Sequence, residues 1–166
     1  MPGTFVTLGN ASQPFGRLIS AIDAQRQALP APVHVQHGTT PCAAHWASAV
    51  PFLSPADYDR CVRQADVVIT HAGAGSILNA IQAGKVPIVM PRLSRLGEIL
   101  DDHQVEFADA LEAAGRVLVV RDPADVGRLV DAARRRQSAL SASPAEPRLV
   151  SLVDDALRRV EREAGG

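Results

Sequence analysis

The sequence predicts a doubly wound α/β domain: a Rossmann-like parallel sheet with helices on both faces. Three observations predict it. Short runs rich in Val, Ile and Thr alternate with stretches in which apolar residues recur every three to four positions. The runs lack strict apolar–polar alternation, as in Asp66-Val67-Val68-Ile69-Thr70, which marks strands covered on both faces. A chain of 166 residues suits one domain, and buries roughly 70% of its unfolded surface.

Thr4-Phe5-Val6-Thr7-Leu8 reads as the first strand, ended by Gly9. A helix follows from about Pro14, with Phe15, Leu18, Ile19, Ile22 and Leu29 on one face and Ser12 placed to cap it. Pro30-Ala31-Pro32 stops it. Val33-His34-Val35-Gln36-His37 is the second strand, and residues 38–53, with Pro41, Trp46 and Pro51, read as irregular. Ser54 and Pro55 read as the N-cap and first residue of a short helix, with Asp57 in its first turn. The strand 66–70 then opens through His71-Ala72-Gly73-Ala74-Gly75-Ser76 into a helix carrying Ile77, Leu78 and Ile81, closed at Gly84. Pro87-Ile88-Val89-Met90 is the next strand. A loop from Pro91 leads to a helix from about Asp101 to Ala114 that buries Val105, Phe107, Ala108 and Leu111, with Asp101 or Asp102 as its cap. Val117-Leu118-Val119-Val120 is the last strand, and Asp122-Pro123 opens a helix to about Arg136. Residues 138–147, rich in Ser, Ala and Pro, read as a linker. Leu149, Leu152, Val153, Ala156, Leu157 and Val160 then recur at helical spacing. The chain thus divides into a Rossmann-like domain, 1–140, and a linker with a C-terminal amphipathic helix, 141–166.

Composition narrows the function classes. Seventeen Lys and Arg against eighteen Asp and Glu give a net charge of −1, without the basic excess of broad nucleic-acid binding. Cys42 and Cys61 form no CxxC pair and no disulfide framework. No apolar run is long enough to span a bilayer, and the N-terminus lacks signal-peptide character, so a cytoplasmic chain is expected. His34, His37, His45, His71 and His103 show no metal-ligand spacing, so no metal is expected.

In doubly wound sheets ligands bind at the carboxyl ends of strands. The strongest signal there is the glycine loop His71 to Ser76. A strand running through two glycines into a helix exposes unpaired N–H groups and the positive end of the helix dipole, which suits an anion. His71, Gly73, Ala74, Gly75 and Ser76 are therefore the phosphate-site candidates. The competing reading is a plain turn whose glycines supply positive φ. The loop lacks the third glycine of a dinucleotide fingerprint, where Leu78 stands, and Gly84-Lys85-Val86 is no P-loop. A second cluster, Arg92 to Glu98 and then Asp101-Asp102-His103-Gln104, offers groups suited to sugar hydroxyls, with Arg92 a further phosphate candidate. A solvated loop is the competing reading there. Gly9 and Asn10, in the loop after the first strand, are secondary phosphate candidates.

Together these pieces resemble a known family. Phe5-Val6-Thr7-Leu8-Gly9, Gln36-x-Gly38, Ala65 to Ser76, Gly84-Lys85-x-Pro87-Ile88-Val89-x-Pro91-Arg92, Gly97-Glu98 and Asp102-His103-Gln104 resemble the glycosyltransferase family 28 C-terminal domain in its stand-alone form. That form is the catalytic half of two-component glycosyltransferases of exopolysaccharide and dolichol-linked glycan synthesis. The resemblance implies the donor half of a GT-B fold split between two chains, consistent with a chain that starts at its first strand. It implies inverting transfer of a hexose-type sugar from a UDP-sugar to a lipid-linked acceptor, without a metal cofactor. The partner would be a membrane-associated acceptor-binding glycosyltransferase subunit that recruits this chain to the inner face of the membrane. By position, His71, Gly73, Ala74, Gly75 and Ser76 would hold the donor diphosphate. Asn79, Glu98, His103 and Gln104 would meet ribose or sugar hydroxyls, although Asn79 stands where many relatives carry Glu. His71 and Glu98 are the catalytic candidates, with no complete active site expected in this chain. The alternative is a non-catalytic nucleotide- or phosphate-binding module that regulates a partner.

Overall fold

Successive side chains of a strand point to opposite faces of the sheet, and this separates the core into layers. In a computed structural model describing residues 2–142, together with Ser151, Asp154, Asp155, Arg158 and Arg162, six strands form one parallel sheet. They are β1 (Thr4–Thr7), β2 (Val33–Gln36), β3 (Ser48–Val50), β4 (Val67–His71), β5 (Ile88–Met90) and β6 (Leu118–Val119). Five helices connect and cover them: α1 (Gly16–Ala24), α2 (Pro55–Gln64), α3 (Ala74–Gln82), α4 (His103–Ala113) and α5 (Val126–Ser141). Val6, Val35, Val67, Ile69, Ile88 and Met90 pack with Leu18 and Ile22 of α1 and with Leu129 and Val130 of α5. The alternate residues face the other way: Phe5 and Val68 meet Val62 of α2 and Ala80 of α3, and Val89 and Val119 meet Ile77 of α3 and Leu111 of α4.

The strand order is β3-β2-β1-β4-β5-β6. The chain winds outward from β1 in one direction, then returns to place β4 on its other side. Thr7 lies opposite both Gln36 and Thr70, so the loops after β1, β2 and β4 leave the same edge of the sheet. The loop after β5 joins them, since Thr70 pairs with Val89 and His71 with Met90.

Several local expectations change. The segment 38–53 contains β3, an edge strand of three residues with Ser48 and Ala49 exposed; so short and exposed a strand carries almost no hydrophobic pattern. The first helix starts at Gly16 rather than Pro14, and its body ends at Ala24 before a 3-10 turn over Arg26–Ala28. Ser12 does not cap it. The Phe15 N–H instead donates to Thr40 Oγ at 3.0 Å, from the loop after β2. Val105 is only half-buried, whereas Phe107, Ala108 and Leu111 are buried as expected. Helix α5 runs on to Ser141, so residues 138–141 are helix and not linker. The amphipathic helix expected over 149–160 falls outside the described residues, save Ser151, Asp154, Asp155 and Arg158, which are helical.

Gln137 ties α5 to the sheet. Its Oε1 accepts from the Val86 N–H at 2.9 Å, and its Nε2 donates to the Asp66 carbonyl at 2.8 Å. These bonds satisfy backbone groups at the entries to β5 and β4. Gln137→Ala leaves the N–H of buried Val86 without its acceptor. Urea denaturation is expected to show a loss of about 1–3 kcal/mol; an unchanged midpoint would show that the two bonds carry no net stability.

Candidate functional site

The strand order reverses between β1 and β4, and the loops leaving these neighbours diverge to open a crevice. An open cleft of about 360 Å³ occupies it. Thr7, Gly9 and Asn10 line it from β1 and its loop, Gln36 from β2, Leu53, Pro55 and Tyr58 from α2 and its approach, and Gly75, Ser76 and Asn79 from α3.

Helix α3 enters this cleft with a bare N-terminus. Gly73 is the N-cap, no side chain caps the helix and no acidic residue lies in the first turn. Since the Ile77 N–H is the one that reaches back to the Gly73 carbonyl, the N–H groups of Ala74, Gly75 and Ser76 precede the helical ladder. The contrast is α2, where Ser54 accepts from the Asp57 N–H and the Asp57 carboxylate stands in the first turn. The start of α2 is neutralised by its own sequence; the start of α3 keeps its donors and its dipole for something else.

His71, the last residue of β4, forms the wall beside these donors. Its ring is wedged between the backbones of Gly9 and Gly73, and a Cβ at either position would overlap it. Gly9 also has φ of +75°. Gly73 does not: its φ is −73°, so the turn itself requires no glycine there and the imidazole does. Outside its own turn of helix, Gly75 has no neighbouring atom within 4 Å of where a Cβ would stand. Burial, with a further contribution from the Arg92 guanidinium, pushes the His71 pKa down from 6.5 to about 4. The ring is therefore neutral at pH 7. Its Nε2 lies 3.3 Å from Ser76 Oγ, and its Nδ1 lies 3.5 Å from Gln104 Nε2.

The sequence candidates separate into two groups. His71, Gly73, Ala74, Gly75 and Ser76 meet at the mouth of α3, and Gly9, Asn10 and Asn79 line the same cleft. Arg92, expected as a phosphate ligand, is instead 1% exposed. Its guanidinium donates to the carbonyls of Leu8, Gln13 and Glu98 at 2.8–3.0 Å and lies over the Phe15 ring. Glu98, expected at sugar hydroxyls and as a catalytic candidate, is buried. Its carboxylate accepts from Arg17 through both oxygens, at 3.0 and 2.9 Å, and from the Leu93 N–H at 2.9 Å. Both side chains serve the loop, because a charge this buried must be bonded by its own fold. His103 is exposed, with Nδ1 3.1 Å from Asp101 Oδ1, and is not among the residues lining the cleft. Gln104 Oε1 accepts from the Arg92 N–H at 3.1 Å, while its Nε2 faces His71.

Thr7, Gln36, Leu53, Pro55 and Tyr58 also line the cleft, beyond the candidates read from the sequence. The Gln36-x-Gly38 and Phe5-Val6-Thr7-Leu8-Gly9 patterns mark Gln36 and Thr7; the others carry no local signal, since only the packing of α2 against α3 brings Tyr58 to Ser76. Gln36 Oε1, Tyr58 OH and Asn79 Oδ1 are buried atoms without a hydrogen-bond partner, gathered in residues around one cleft. Burial pushes the Tyr58 phenol up, partly offset by the neighbouring Ser76 and Thr7 hydroxyls.

Fold and crevice together define a Rossmann-like domain with an uncapped helix start at its switch point. The family model of the glycosyltransferase family 28 C-terminal domain matches residues 4–146, and the chain belongs to this family. The chain is 33% identical over 137 residues to a UDP-N-acetylglucosamine transferase subunit ALG13 of Eremothecium gossypii, covering 78% of this chain and 62% of the relative. A subunit of the same name from Cryptococcus neoformans is 45% identical over 65 residues, 38% of this chain and 30% of that one. A UDP-N-acetylglucosamine--N-acetylmuramyl-(pentapeptide) pyrophosphoryl-undecaprenol N-acetylglucosamine transferase of Solibacter usitatus is 37% identical over 73 residues, 44% of this chain and 19% of its own length. The chain thus spans less than two thirds of each of these relatives. Among solved structures, the glycotransferase of kitacinnamycin superposes with a TM-score of 0.59 at 20% identity, over 98% of this chain and 40% of that one. An NMR structure of ALG13 does so at 0.55 and 19%, over 82% and 87%. Both likenesses show the fold.

A His71 pKa lowered to about 4 in the fold has a thermodynamic signature. Between the ordinary value of 6.5 and about 4 the unfolded chain binds more protons than the folded one, so stability falls as pH drops through that window. Urea unfolding at pH 7 and pH 4.5 is expected to show a smaller loss in His71→Gln than in the unaltered chain. Equal losses would place the His71 pKa at its ordinary value.

Proposed function

We propose that this chain is the donor-binding catalytic subunit of a two-component inverting glycosyltransferase, transferring a hexose-type sugar from a UDP-sugar to a lipid-linked acceptor in surface polysaccharide synthesis. The observation that carries the reading is the uncapped start of α3, with neutral His71 and Ser76 beside it, opening into the switch-point cleft. The names of the relatives, UDP-N-acetylglucosamine transferases, make N-acetylglucosamine the first sugar to test.

On this reading the donor diphosphate lies against the N–H groups of Ala74, Gly75 and Ser76. When the bond between the sugar and the diphosphate breaks, negative charge grows on the departing UDP. Fixed donors and the helix dipole stabilise that charge without reorganising, so they lower the barrier more than they tighten the ground state. Gln36, Tyr58 and Asn79 offer their unpartnered polar atoms to the nucleoside or sugar. The contribution asks for no resident metal, since the helix start supplies the electrophilic field. No carboxylate, lysine or arginine lines the cleft among the described residues, Glu98 is bonded to Arg17, and the His71 ring is taken up by Ser76, Gln104 and the backbones of Gly9 and Gly73. The base that deprotonates the acceptor hydroxyl is therefore assigned to the partner, a membrane-associated acceptor-binding subunit that brings this cytoplasmic chain to its substrate.

The same lack of a base favours one other reading, a nucleotide-binding module that regulates a partner without taking part in transfer. Calorimetric titration of the purified chain with UDP, against ADP, is expected to show selective UDP binding. His71→Ala is expected to weaken it, and Gly75→Leu to weaken it at least tenfold while keeping the fold, since leucine extends helices better than glycine by up to about 1 kcal/mol. UDP affinity unchanged in both variants would contradict the site. With the partner present, transfer by His71→Ala should collapse while partner binding survives; undiminished transfer would favour the regulatory module.

A further inference from the structure

A backbone N–H has no choice of role: it donates. The Arg92 N–H lies 3.1 Å from one end of the Gln104 side-chain amide, so that end is the oxygen. The other end, 3.5 Å from His71 Nδ1, is then the NH₂ group, which also only donates. A neutral imidazole has one donor and one acceptor nitrogen. With Gln104 donating to Nδ1, the proton of His71 belongs on Nε2. That nitrogen lies 3.3 Å from Ser76 Oγ, which accepts from it and turns its own O–H elsewhere.

We propose that Gln104 is a positioning residue that fixes His71 in the Nε2–H tautomer, so that a one-way chain of hydrogen bonds from the Arg92 backbone through Gln104 and His71 presents only donors to the mouth of α3. The opposite tautomer would turn a ring lone pair toward the place where the first-turn N–H groups gather. That lone pair would repel an anion there, while Nδ1–H would meet the Gln104 NH₂ donor to donor.

Each link is held from outside the chain. Arg92 is fixed by its three carbonyl acceptors and by Phe15. Gln104 sits in the first turn of α4. The His71 ring is packed closely by the backbones of Gly9 and Gly73, where any Cβ would overlap it. The groups facing the ring are these two backbones, Ser76 of α3 and Gln104 of α4. Arg92 is the charged group that acts on it, and it favours the neutral ring. A neutral histidine has a tautomer to set, whereas an imidazolium would donate through both nitrogens whatever faced it. Gln104, expected at a sugar hydroxyl, thereby acquires a second task behind the diphosphate site.

The assignment of a tautomer stands on the chain's own geometry; its consequence for a diphosphate rests on the proposed function. The test is a long-range ¹H–¹⁵N correlation spectrum of the imidazoles in the free, uniformly labelled chain at pH 7, with His71 identified by the signals missing in His71→Gln. Expected is a protonated Nε2 and a bare Nδ1. Gln104→Glu keeps an acceptor for the Arg92 N–H but sets a second acceptor against Nδ1, so it is expected to move a proton onto Nδ1. Thermal unfolding and the amide spectrum establish that this variant is folded. Should it unfold, Gln104→Met, which removes the donor to Nδ1, is expected to give a mixture of tautomers. A protonated Nδ1 in the unaltered chain, or an Nε2–H ring left unchanged in the folded variant, would overturn the proposal. Titrating the same sample with UDP separates the two readings. An Nε2–H ring in a chain that does not bind UDP sinks the proposed function and leaves this inference standing; UDP binding to an Nδ1–H ring does the reverse.

Discussion

Burying an arginine takes a full charge out of water, which costs several kcal/mol unless the fold bonds its protons. Arg92 is buried nonetheless, and its environment is built for it. Three backbone carbonyls from two loops accept from its two terminal nitrogens and Phe15 packs against its plane, while its buried Nε–H has no partner. Leu8 and Gln13 bracket the loop after β1; Glu98 belongs to the loop after β5. One side chain therefore sets the distance between the loops that flank the glycine turn. The Glu98 carboxylate bonds Arg17 and not Arg92, yet its charge still offsets part of the cost of burying the Arg92 guanidinium. The positive charge of the guanidinium is felt by His71. An arginine expected to touch a phosphate directly thus acts one layer deeper.

The glycines follow from the same arrangement. A wide aromatic ring at the end of β4 leaves no room for side chains on the adjoining backbones, so Gly9 and Gly73 are needed by His71 before any ligand is considered. Gly75 is different. It lies at the open side of the helix start, where the absence of a side chain leaves the N–H groups accessible. Two glycines in one motif therefore have two causes: the first makes room for the ring, the second for whatever the helix receives.

Much of this was legible in the sequence. The parallel sheet, its edge of loops and the glycine turn all follow from local pattern, because a fully buried strand and a helix start are written in consecutive residues such as Val67-Val68-Ile69-Thr70 and Gly73-Ala74-Gly75. The parts that were not legible depend on distant pairs. Arg17 and Glu98 are far apart in the chain, and nothing local distinguishes a half-buried ion pair from two surface charges. Arg92, Glu98 and Gln104 sit in a polar segment that reads equally as a ligand-binding loop or a solvated one; the structure makes most of it a brace. Tyr58 reaches the cleft only through helix packing, and β3 is too short and too exposed to leave a pattern.

The central claim is that the start of α3 receives the diphosphate of a nucleotide. Amide chemical-shift mapping tests it most directly, with the ¹⁵N-labelled chain titrated first with UDP and then, separately, with uridine. The account predicts that the N–H signals of Ala74, Gly75 and Ser76 move strongly with UDP and little with uridine. Equal responses to both ligands, or a UDP response confined to residues away from the switch-point cleft, would contradict it.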